Sequence, residues 1–195
     1  MGSPGEVIIY DAASHEVRWK HDWGVTVTVA VFSPGGETLA VGGWGSRLVG
    51  PDRSGKISIY GAASGELRRD LDCVIPPHKR RDAAWVESIS YSPDGSRLAV
   101  VCANHAAIYE VETWVLLRRL DRGSGYDTQF ENAVAFSSDG LMIAVGGSDN
   151  RKNGISAVIR EASSGSVQHE IGRGRDEYHR GHTVEALTFS STRAR

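Results

Sequence analysis

Phe32 to Gly43 reads FSPGGETLAVGG, and the phrase returns as YSPDGSRLAVVC from Tyr91 and as FSSDGLMIAVGG from Phe136, with a last fragment, FSSTRAR, from Phe189. Each full copy has an aromatic closing one apolar run, then a short polar turn, then a second apolar run. Pro34 and Pro93 preset φ at the second turn position. Gly36, Gly95 and Gly140 are expected to take φ > 0, where any other side chain is strained. The phrase therefore predicts the same tight β-hairpin three times.

Outward from the first copy, Val25, Val27, Val29 and Val31 alternate with Thr26, Thr28 and Ala30, the period of two that marks a strand. Downstream, Leu39–Val41, Ile57–Tyr60 and Leu67–Leu71 complete a predicted antiparallel meander. The third and fourth runs belong to a second repeated motif: VIIYDAASHEV from Val7, ISIYGAASGEL from Ile57, AAIYEVETWVL from Ala106 and AVIREASSGSV from Ala157. With Tyr10, Tyr60, Tyr109 and Arg160 as equivalents, the intervals are 50, 49 and 51 residues, the length of one four-stranded unit in a repeat protein. No window has sustained helical periodicity. A single twisted sheet cannot bury both faces, so repeated sheets have to stack, and radial stacking gives a β-propeller.

The hairpin phrase, its aromatic and the strand ending in an aromatic plus an acid resemble the WD-repeat family over nearly the whole chain. Tyr10-Asp11 and Tyr109-Glu110 stand where that family has Trp-Asp, Tyr60-Gly61 and Arg160-Glu161 are weaker versions, and Gly181-His182 matches the Gly-His that opens a family repeat. No Gly-His precedes Phe32, Tyr91 or Phe136 at that spacing. The resemblance thus implies a β-propeller without the family's intact His, Asp, Ser and Trp network, with related propellers of degenerate repeats, lactonase-like and quinoprotein-like ones included, as the alternatives.

The phase of the repeat divides the chain into a partial blade at 1–20, blades at 21–71, 72–120 and 121–171, and the first strand of a further blade at 172–195. The expected fold is all-β: a propeller fragment of four-stranded antiparallel blades, three complete with a partial blade at each end, about 15 strands in all. The C-terminal phrase breaks off in Thr-Arg-Ala-Arg where Asp-Gly is expected, which reads as a truncated arc, prone to self-association through its open edges.

Lys plus Arg number 22 against 24 Asp plus Glu, a formal charge of -2, so no global field favours nucleic acid or a membrane. No apolar stretch approaches the roughly 20 residues of a membrane span. Cys73 and Cys102 are the two cysteines; their spacing fits no metal motif, and reduced thiols in the cytoplasm are the expected state, with a structural disulfide the alternative.

Catalytic motifs are imitated but lack their context. Gly50 to Lys56 fits G-x-x-x-x-G-K, yet Ile57 stands where Ser or Thr would hold magnesium, and the stretch enters a strand instead of a helix. His15, His21, His105, His169 and His179 lack zinc spacing, and His182 reads as a structural donor within a blade. No pair of carboxylates is singled out, and neither cofactor nor metal is expected. Function is expected instead in connections that are long and unlike one another, Trp44–Gly55, Asp72–Ala84, Asp121–Glu131, Ser148–Asn153 and Gly172–Gly181, opposite the short, uniform turns. They carry Trp44, Arg47, Arg53, Lys79, Arg80, Arg81, Tyr126, Arg151, Lys152, Arg173, Arg175 and Tyr178, a mixture of aromatic and cationic side chains suited to a protein interface. The sequence thus reads as a non-enzymatic scaffold for a protein or peptide partner; the basic run His78–Arg81 reads as a solvated loop tip, with the docking of an anionic partner or peptide the alternative. The alternative is a fragment of a propeller hydrolase or oxidoreductase with its site at the channel mouth.

Overall fold

A computed structural model describes residues 5–24, 26–44, 55–72, 85–102, 105–120, 130–148, 155–172 and 184–190. The first hairpin phrase forms β3 (Thr26–Phe32) and β4 (Thr38–Trp44), and the second motif adds β5 (Gly55–Gly61) and β6 (Leu67–Asp72). The next sheet repeats the plan with β7 (Val86–Tyr91), β8 (Arg97–Cys102), β9 (His105–Glu110) and β10 (Leu116–Arg119). The third has β11 (Phe130–Phe136), β12 (Met142–Ser148), β13 (Ile155–Glu161) and β14 (Val167–Gly172). All three are four-stranded antiparallel meanders in sequence order, preceded by a two-stranded sheet of β1 (Glu6–Tyr10) and β2 (Val17–Asp22). The fold is an all-β propeller arc.

The hairpins form as the sequence expects. Gly36, Gly95 and Gly140 have φ of 71°, 72° and 71°. Ser92 Oγ accepts from Arg97 N–H at 2.9 Å and donates to Asp94 Oδ1 at 2.5 Å, and Ser137 makes the same pair of bonds with Met142 and Asp139. The phrase thus closes its own turn, because serine and aspartate offer the backbone local partners.

The core lies between sheets. Ala40, Ile57, Ile59 and Leu71 of the first sheet meet Ile89, Tyr91, Leu98 and Tyr109 of the second. Ala99, Val101, Ile108 and Leu120 then meet Val134, Phe136, Ile143 and Val145 of the third. On the other flank, Val7 and Trp23 pack on Leu39, Val41 and Tyr60. Inner strands adjoin in order, β3 with β7 and β7 with β11. Each inner strand has one edge without a β partner, and side chains supply bonds there: Ser88 Oγ accepts from Val134 N–H at 3.2 Å, and Ser90 Oγ from Phe136 N–H at 3.3 Å.

Two expectations are corrected. Residues 184–190 lie where the first strand of a further blade is expected but form no ladder; Val184 N–H donates to Gly147 O at 3.2 Å, and no second strand stands beside the segment among the described residues. Cys102 is disulfide-bonded, not a reduced thiol. Cysteine spacing was a poor guide because a disulfide depends on where strand ends meet, and Cys102 ends β8, opposite Val86. The other cysteine, Cys73, lies outside the described residues.

Candidate functional site

The antiparallel meander sends its connections to two rims. The first-to-second and third-to-fourth strand turns share one rim, and there they satisfy their own hydrogen bonds; Asp11 Oδ1, for example, accepts from Ala13 and Ser14 N–H, both at 2.9 Å. The strand ends that border segments 45–54, 73–84, 121–129, 149–154 and 173–183 lie on the opposite rim, and the segments themselves are outside the described residues. Eleven of the twelve candidate residues, Arg47, Arg53, Lys79, Arg80, Arg81, Tyr126, Arg151, Lys152, Arg173, Arg175 and Tyr178, lie outside the described residues. Trp44 closes β4 on that rim. The basic run 78–81 and His182 are likewise outside.

Sequence reasoning missed a ring at this same rim. Each inner strand carries a β-bulge at one equivalent place, between Val27 and Val29, Val86 and Ser88, and Glu131 and Ala133. The extra residues are Thr28, Glu87 and Asn132, and Glu185 holds the matching place four residues before Phe189. A bulge bends its strand and re-aims a side chain, and bulges collect at rims. Thr28 Oγ donates to Gly42 O at 3.1 Å and to Val86 O of the next sheet. Glu87 has no proton to give when ionised: its Oε2 is buried with no hydrogen-bond partner among the described residues, and desolvation raises its carboxyl to about 7. The only sequence signal was spacing, since all these residues stand four places before the repeated aromatic.

A second polar group links Trp23 to β5 and β6. Trp23 Nε1 donates to Ser58 Oγ at 3.2 Å, and Ser58 Oγ donates to Asp70 Oδ1 at 2.6 Å. Lys56 Nζ lies 3.4 Å from Asp70 Oδ2. The lysine of the phosphate-loop look-alike is therefore engaged by a carboxylate, on a strand.

Between the inner strands runs a cavity of about 480 Å³, lined by β3, β7, β11 and residues 185–189. Its ionisable lining groups are Tyr91 and Glu185, and burial raises the Tyr91 phenol above its ordinary value. Among the described residues no three His, Cys, Asp or Glu side chains cluster as a metal site, and no helix is long and apolar enough to cross a membrane.

No protein-family model matches the sequence, and no curated protein resembles it closely. The fold, in contrast, is widely shared: 752 solved chains match it. One is the structure of U3-55K, a WD40 β-propeller protein, similar with a TM-score of 0.61 at 14% identity. That likeness covers 95% of this chain and 46% of the other, so the chain spans about half the length of its structural neighbour. At such identity the likeness is one of fold alone.

Proposed function

We propose that the chain is a non-enzymatic scaffold of WD-repeat type, holding a protein or peptide partner on the rim that bears the long connections. The difference between the rims carries this reading. One is made of near-identical turns whose polar groups are used internally, and the other of unlike segments rich in Arg, Lys, Trp and Tyr. The WD-like propeller fold is consistent with such a role, and the ring of Thr28, Glu87 and Asn132 adds polar groups at its centre. The disulfide at Cys102 favours an oxidising compartment over the expected cytoplasm, because cytosolic glutathione reduces most such bonds.

The test is site-directed photo-crosslinking in the chain's native cells, with the probe at Trp85 on the proposed rim or at Pro34 on the opposite one. Adducts from Trp85 and not Pro34 are expected, and Arg80→Ala with Arg81→Ala should reduce them while changing stability by no more than about 0.5 kcal/mol. Equal adducts from both rims, or a double variant that melts early and crosslinks normally, would overturn the assignment.

A further inference from the structure

The strands at the outer wall follow one rule, and the middle sheet breaks it. β2, β6, β10 and β14 begin in register at Val17, Leu67, Leu116 and Val167, which pair with Tyr10, Tyr60, Tyr109 and Arg160. The residues flanking that first position are Glu16 and Arg18, Glu66 and Arg68, and Ser166 and Gln168, polar in three sheets. In the middle sheet they are Val115 and Leu117, and these two are 56% and 50% exposed.

A fourth strand is the last of its meander, and among the described residues β10 has β9 on one side and no strand on the other. Its sheet is packed on both faces by the neighbouring sheets, so this edge is exposed by topology and not by where the chain starts or stops. Edge strands are normally guarded by bulges and charges against pairing with another chain. In β10 the bulge remains, between Leu116 and Arg118, but the charge at its centre is gone. The charges that do remain are sorted by sign. In β6 they alternate, as Glu66, Arg68, Arg69 and Asp70, whereas around β10 Glu110 and Glu112 precede the apolar pair and Arg118 and Arg119 follow it. Thr113 Oγ donates to the Glu110 carboxylate, and Arg118 donates to Ser163 O at 3.1 Å. Glu112 and Arg119, both exposed, are then the charges turned to solvent. A strand that is acidic at one end, apolar in the middle and basic at the other is complementary to itself when reversed, and no other strand among the described residues has that order.

We propose that β10 meets β10 of a second copy edge to edge and antiparallel, about a two-fold axis near Leu116. Val115 packs on Leu117 of the second copy, Leu117 packs on its Val115, and Arg119 lies toward its Glu112, so that every contact occurs twice. The bulge keeps any shared ladder short, and the apolar and charge pairs carry the contact. The contact lies on a strand edge at the outer wall and leaves the proposed partner rim open on both copies.

Sedimentation velocity on the full chain tests this. The wild type should dimerise reversibly, and Val115→Glu with Leu117→Arg, which gives β10 the pair that β2 and β6 already carry, should weaken the dimer at least about tenfold. Glu112→Lys and Arg119→Glu supply a second test should circular dichroism show that double variant unfolded, since both residues are exposed. Each alone sets like charges against each other at both ends and should weaken the dimer. Their equimolar mixture should recover it, because Lys then faces Glu at one end and Glu faces Arg at the other. A wild type still monomeric at about 100 µM, a double variant that folds and dimerises undiminished, or a mixture without recovery would each overturn the proposal. The first of these is the result expected if another partner, or another segment of a longer polypeptide, covers Val115 and Leu117 instead.

Discussion

At the turn between third and fourth strands, one backbone conformation is met by different residues. Gly65 and Gly165 hold it with φ of 71° and 73°, and His15 and Trp114 hold it with φ of 59°. A side chain there costs about 1 kcal/mol relative to glycine. Trp114 also packs against the core, but His15 is exposed and gains nothing comparable. His15→Gly should therefore stabilise the chain by roughly 1 kcal/mol in urea denaturation, whereas Gly95→Val should destabilise it. The hairpin glycines were legible in the sequence because a proline or serine frames them. His15 was not, since positive φ leaves no mark on a residue that is not glycine.

Glu87 makes a pH prediction at the same scale. Its folded pKa of about 7 lies above the ordinary 4.5, so the folded chain holds this proton more tightly than the unfolded one. The contribution is fully present below pH 4.5 and is lost as pH rises to about 7. Asp94, lowered to about 2 by its bonds to Ser92 and Ser96, acts in the opposite sense: its contribution is present above the ordinary 3.8 and lost as pH falls toward 2. Melting temperatures from pH 4.5 to 8 should fall more for wild type than for Glu87→Gln. Parallel curves would mean that the carboxyl is hydrated.

Among elements, the alternation and the repeated phrase placed the strands, while what joins one sheet to the next was hidden. Ser88 and Ser90 look like solvent-facing positions of an alternating strand, yet they bond the edge of β11. Arg97 likewise gave no sign that it bonds Gly140 O at 2.9 Å and lies 5.3 Å over the Phe136 ring. These are contacts across some 45 residues, and their partners exist only once the sheets stack. Ser88→Ala with Ser90→Ala should cost about 1 kcal/mol per lost bond, and hydrogen exchange should quicken at Val134 and Phe136 first. Unchanged exchange would show that water serves these amides as well. Loop length in the sequence singled out one rim as the candidate site, but the bulges on that rim depend on strand register, of which the sequence carries only the shared spacing to the repeated aromatic.

For the whole molecule, the covalent bond at Cys102 joins the accounting. Cross-links lower the entropy of the unfolded chain, typically by an amount equivalent to 2–4 kcal/mol. Dithiothreitol should therefore depress the melting temperature of the wild type and leave that of Cys102→Ala untouched. Equal melting with and without reductant would mean that the bond adds no stability.

The consecutive contact of β3 with β7 and β7 with β11 also decides how the arc responds to force. Sheets that touch only their neighbours carry the same tension in series, so under a pull at the termini the flank sheets, each held by fewer interfaces than the middle one, give way first. Rupture should travel inward in discrete events. A period near 50 residues releases roughly 170 Å of slack per sheet, less wherever the disulfide pins the chain. An optical trap would register this as a short staircase of extension, its tread length set by the repeat and its number of steps by the sheets.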